Sequence, residues 1–155
     1  MAVQAQLLGR VDGNTNYSTH PFVVGSGVTV TKGDFVYFAS GVITSASAAT
    51  QKLLGMALET ATGNAAGTIK ALVCVDPTMR YLIDGDEIGT ALGATHPGTY
   101  FDLIGAGGAQ LVDTSSTSTT GSLLLLQNNP QVDPVRSDTS VGEYVIAEHY
   151  FYPAQ

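Results

Sequence analysis

Apolar and β-branched residues recur along the chain in short runs, each bounded by glycine, aspartate, asparagine or serine. That spacing predicts an all-β chain, a small β-barrel or sandwich with long loops. Strands are expected near 28–31, 34–38, 42–44, 53–59, 68–75, 79–84, 100–104, 109–113, 122–127 and 143–152. The clearest alternation lies in 68–75, where Ile69, Ala71, Val73 and Val75 point one way and Thr68 and Lys70 the other, so the strand starts half-wet and ends buried. Turn chemistry fills the connectors: Lys32-Gly33-Asp34, Ser40-Gly41, Gly63-Asn64, Asp84-Gly85-Asp86 and Gly105-Ala106-Gly107-Gly108. The last of these predicts a hairpin joining 100–104 to 109–113. Segments 45–54 and 86–96 are too rich in Ser, Thr and Gly for stable helices and are expected as loops or single turns.

The pattern is weakest over 1–27, 114–121 and 128–142, which predict long loops or arms. The opening segment mixes Val3, Leu7, Leu8, Val11, Tyr17, Phe22, Val23 and Val24 with Gly, Asn and Thr, without strand-length alternation. It is expected as an extended N-terminal arm lying on a neighbouring subunit, removable up to about Thr19 without unfolding the rest. Residues 28–155 would then form the β domain, as one unit or as two lobes, 28–86 and 87–155.

Composition narrows the function. Charged residues are 12% of the chain, against about 25% in an ordinary globular domain. A surface this poor in charge suggests coverage by copies of the chain or by a partner. The net charge of −7 comes from 13 acids and 6 bases, and Arg10, Lys32, Lys52, Lys70, Arg80 and Arg136 stand singly. Nucleic-acid binding needs clustered cations to displace counterions, so it is not expected. The N-terminus has no basic start or continuous apolar core of a signal peptide, and no apolar run approaches a membrane span. The expectation is a chain made and assembled in a cytoplasm.

No constellation of residues predicts catalysis, a cofactor or a metal. Cys74 is alone, with neither His nor Lys adjoining it, and is expected as a buried small hydrophobe. His20, His96 and His149 are far apart, and none has ligand spacing to another His, Cys or Glu. The chain has no Gly-x-Ser-x-Gly frame around a nucleophilic serine and no Gly-Lys-Ser/Thr phosphate loop. Asp84, Asp86 and Glu87 offer oxygen ligands but lack the regular spacing of a calcium loop, so a solvated hairpin turn is expected there.

One resemblance extends this reading. Val30-Thr31-Lys32-Gly33-Asp34-Phe35-Val36-Tyr37 with Gly41-Val42-Ile43, then Leu54-Gly55-Met56-Ala57-Leu58-Glu59, Gly67-Thr68-Ile69-Lys70-Ala71-Leu72-Val73 and Met79-Arg80-Tyr81, resembles the head-decoration (cement) proteins of tailed bacteriophages. It covers roughly 28–86. It implies a non-enzymatic homotrimer on the outer capsid surface of a virion, made in the host cytoplasm and bridging major capsid protein subunits. On that reading Val3, Leu7, Leu8, Val11 and Tyr17 would contact the capsid, and Tyr144, Ile146, Tyr150 and Tyr152 would form the oligomer interface. One rival is a receptor- or glycan-binding module of a fibre or tail, for which Tyr17, Tyr81 and Tyr100 would be a stacking surface, and another is a trimeric β enzyme, which would need acids converging on a pocket at subunit interfaces.

Overall fold

The computed structural model describes residues 5–47, 52–86, 96–115, 121–128 and 141–151. Regular structure among them is entirely β. The strands are β1 (Gln6–Arg10), β2 (Thr19–Val23), β3 (Thr29–Val30), β4 (Phe35–Ala39), β5 (Val42–Ser45), β6 (Gly55–Ala57), β7 (Ala61–Thr62), β8 (Lys70–Cys74), β9 (Met79–Ile83), β10 (Tyr100–Phe101), β11 (Leu103–Ile104), β12 (Leu111–Val112), β13 (Leu123–Asn128) and β14 (Gly142–Ile146). Two five-stranded antiparallel sheets carry the fold, in the orders β1-β9-β14-β13-β10 and β2-β8-β6-β4-β5. Two ribbons, β11-β12 and β3-β7, accompany them.

Side chains alternate across a strand, and β4 shows what that alternation builds. Phe35 and Tyr37 face one core, Val36 and Phe38 another. The same division runs through Leu53 and Leu54, and through Met56 and Ala57. The larger core lies between the sheets, where Phe35, Met56 and Cys74 meet Met79, Tyr81 and Ile83 of β9, Leu123 and Leu125 of β13, and Tyr144 and Ile146 of β14. The smaller core lies on the other face of the second sheet, with Val24, Val30, Val36, Ile43, Leu54, Ala57, Ala71 and Val73. The second sheet is thus a middle layer, apolar on both faces. Its edges approach at a single parallel bridge, Val24 to Ile43, so it curls without closing as a barrel.

Each expected strand has a counterpart, and the predicted hairpin forms with Leu103 opposite Val112 and Ile104 opposite Leu111. Ala71 and Val73 share one face as the alternation predicts, with Val75 packed beside them, while Ile69 is left exposed.

Other expectations need correction. The opening segment is not an arm: β1 pairs with β9 and β2 with β8, as edge strands of the two sheets. A bulge at Leu8, followed by Gly9 at φ +102°, hides the alternation of β1. Pro21 interrupts that of β2, which tolerates it as an edge strand. Separate lobes 28–86 and 87–155 are absent among the described residues, because β9 sits between β1 and β14 in one sheet. The last strand ends at Ile146, short of the expected 152. Asp84 and Asp86 do not form a tight turn. The chain runs on beside β12, with Val112 N–H donating to Asp84 O and Asp86 N–H to Val112 O, both at 2.9 Å. Segments 86–96, 114–121 and 128–142 fall largely outside the described residues.

Candidate functional site

The Lys32-Gly33-Asp34 turn is held in place because all three of its N–H groups and the Asp34 carboxylate are bonded. Asp34, 1% exposed, accepts the Thr31 N–H and the Ser45 hydroxyl on Oδ2, each at 2.8 Å, and the Gly108 N–H on Oδ1 at 2.7 Å. Gly33 N–H donates to Ala57 O at 2.9 Å, and Lys32 N–H to Thr60 Oγ1 at 3.0 Å. Lys32 is held by its backbone with its side chain in solvent.

Facing this turn is the N-terminal segment, fixed through Asp76. Arg10 Nε lies 3.0 Å from Thr78 Oγ1 and 3.4 Å from Asp76 Oδ2, and Asp76 Oδ1 accepts both the N–H and the hydroxyl of Thr78. Burial works to raise the Asp76 carboxyl, but the Thr78 hydrogen bonds and the Arg10 guanidinium outweigh it and hold it below the usual carboxylate range. The loop after Arg10 is ordered by Asp12 Oδ1 accepting Asn14 N–H at 3.0 Å and Asn14 Oδ1 accepting Asn16 N–H at 2.9 Å. Val75 N–H closes it onto Ser18 O.

Between turn and segment runs an open groove of about 770 Å³. Leu7, Met56 and Leu58 give it an apolar lining, and Gln6, Tyr17 and Lys32 also line it. Leu7 and Leu58 also pack on the larger core, which makes that lining an extension of the folded interior.

The groove therefore gathers two of the expected contact residues, Leu7 and Tyr17. Leu8 is half-buried in the bulge, where its carbonyl lies 3.4 Å from Arg80 Nη2, and Val11 is 59% exposed. Val3 lies outside the described residues. Lys32, Met56 and Leu58 belong to the groove although sequence reasoning placed them in a turn and a strand. Lys32 adjoins the Gly-Asp turn in sequence, whereas nothing local marks Met56 and Leu58.

The expected interface set does not assemble. Tyr144 and Ile146 are buried in the larger core, because the pleat of β14 turns them inward. Burial raises the Tyr144 hydroxyl above its ordinary range. Tyr150 remains 41% exposed, meeting Phe38 edge to face at 5.0 Å, and Tyr152 lies outside the described residues. Tyr81 is wholly buried beside Cys74, so the stacking surface of Tyr17, Tyr81 and Tyr100 does not form. Asp86 Oδ1 is engaged by the Thr114 N–H and hydroxyl, Asp84 is buried, and Glu87 lies outside the described residues. Among the described residues no three His, Cys, Asp or Glu side chains are grouped to hold a metal, and no helix is long and apolar enough to cross a membrane.

Fold and groove define an all-β protein of two stacked antiparallel sheets with an open cleft at one edge. No protein-family model, curated protein or solved structure matches the chain.

Proposed function

We propose that this chain is a capsid decoration protein, a non-enzymatic module that binds the outer surface of a phage head and bridges neighbouring capsid subunits as a homotrimer. The observation that carries the reading is the rigid N-terminal contact surface. Val11 and the groove residues Leu7 and Tyr17 keep apolar surface exposed on a segment tied down by β9 and by Asp76. A surface already ordered loses little conformational freedom on binding, so modest apolar contacts yield useful affinity. Three linked copies would then multiply it through effective concentration. The resemblance over 28–86 adds to this, since Thr31, Lys32 and Gly33 within it line the groove. The trimer contact, with Tyr144 and Ile146 internal, falls to exposed side chains such as Tyr150.

The test is co-sedimentation of the purified chain with empty expanded capsids and with unexpanded shells. Retention by expanded capsids alone is expected. Equal failure with both would remove the reading.

A further inference from the structure

The groove's chemistry is more particular than its apolar lining. In a chain carrying 13 acids and a net charge of −7, no described lining residue is acidic, and Lys32 is the only charged one. Its ammonium has no ion-pair partner among the described residues. The acids nearest in sequence are occupied elsewhere: Asp34 is turned inward onto Thr31, Ser45 and Gly108, and Asp12 pairs with Arg10 at 3.3 Å. Among the described residues Lys32 is thus the one cation lining a cleft shared with Leu7, Tyr17, Met56 and Leu58.

We infer that this groove receives an acidic segment of the capsid subunit, which seats an apolar side chain against Leu7, Met56 and Leu58 and places a carboxylate on Lys32. The inference rests on the capsid reading for the identity of the partner; the chemistry rests on the groove alone. The overall negative charge does not favour encounter with an acidic partner, and screening confines both that repulsion and the attraction of Lys32 to a Debye length of about 8–10 Å. Only a carboxylate already seated in the cleft benefits, so the cation selects register rather than speeding encounter. The groove is open, which suits a passing chain better than an enclosed small molecule.

The experiment uses the full ¹⁵N-labelled chain and an acetylated, amidated octapeptide with leucines flanking a central glutamate, together with versions bearing glutamine or lysine at that place. The glutamate peptide is expected to move the amide resonances of Leu7, Lys32, Gly33 and Leu58, and to bind about fivefold tighter than the lysine peptide, the scale of an exposed charge pair made rather than opposed. Lys32→Glu should invert the preference and Lys32→Gln abolish it. Both variants should fold, because the backbone and not the ammonium holds the turn. No shift at millimolar glutamate peptide, equal affinity for the glutamate and lysine peptides, or a preference surviving Lys32→Glu would each overturn the inference. Capsid pelleting separates it from the reading beneath it. Capsids that retain wild type and Lys32→Glu equally would remove the groove contact and leave the decoration role. Capsids that retain neither, with the peptide preference intact, would remove the role and with it the capsid as the source of the segment.

Discussion

The side chain of Gln110 stands where a strand would stand beside Phe35. Its Oε1 accepts the Phe35 N–H at 2.6 Å, and its Nε2 donates to Phe35 O at 3.0 Å and to Ala46 O at 2.5 Å. The amide is wedged where β4 and β5 part, and it is 3% exposed. Beside it Asp34 receives the Gly108 N–H, so the tip of the β11–β12 hairpin is bolted to the turn that walls the groove. Buried backbone groups need such partners, and here a residue far along the chain supplies them.

Gln110→Ala should therefore cost about 2–4 kcal/mol, since it leaves buried backbone groups of Phe35 and Ala46 short of a partner. Exposed Gln127→Ala should stay within about 0.5 kcal/mol. Urea unfolding of the two variants against wild type checks both values.

The hairpin tip also fits too closely for a larger residue. A Cβ on Gly107 would lie 2.7 Å from Ser45 Oγ and 3.0 Å from Asp34 Oδ2. Gly107→Ala should destabilise, and by about 1 kcal/mol less in a Ser45→Ala background, because the closest clash is then gone. A double-mutant cycle of unfolding free energies measures the coupling, and strict additivity would show that the tip does not pack on Ser45.

His149 links stability to pH. It is 1% exposed, its Nδ1 accepts the Phe151 N–H at 3.1 Å, and Nε2 is buried with no hydrogen-bond partner among the described residues. Burial lowers it to about 4, against the opposing pull of Asp76, while the unfolded chain takes up its proton near 6.5. The unfolded state binds the extra proton, so stability is full above pH 6.5 and falls as pH drops towards 4, by about 3 kcal/mol in all. Asp102, raised mainly by burial, works the opposite way, and does so equally in a His149 variant. His149→Gln should flatten the decline across this window in denaturant titrations; an unchanged slope would assign it elsewhere.

Deleting residues 1–19 should unfold or strongly destabilise the chain. The deletion uncovers β9, removes Leu7 from the larger core and takes Arg10 away from buried Asp76. A loss of about 3 kcal/mol or more is expected from the exposed core and the unpaired carboxylate together. Circular dichroism through a thermal melt reads it, and a truncated chain as stable as the full one would show β1 to be dispensable.

Val11→Ser with Tyr17→Ser tests the contact surface without that confusion. Both side chains are exposed, so stability should change by less than about 0.5 kcal/mol per site while capsid retention falls. Retention equal to wild type would place the contact elsewhere.

The sequence by itself determined the all-β character, the position of the ten expected strands and the hairpin around Gly105–Gly108, because each rests on local alternation or on turn residues that tolerate positive φ. It also marked Leu7 and Tyr17 as apolar positions in search of a surface. Only the tertiary structure decided where that surface is. A strand's alternation says that Tyr144 and Ile146 share a face, but not whether that face meets the other sheet or another molecule; the partner sheet made it internal. The bulge at Leu8 and the proline at 21 concealed two edge strands, since each breaks the period by which a strand is recognised. Gln110 looked like any polar residue at the start of a short strand. Its partners, Phe35 and Ala46, lie 75 and 64 residues away, and only the folded chain brings them within hydrogen-bonding distance.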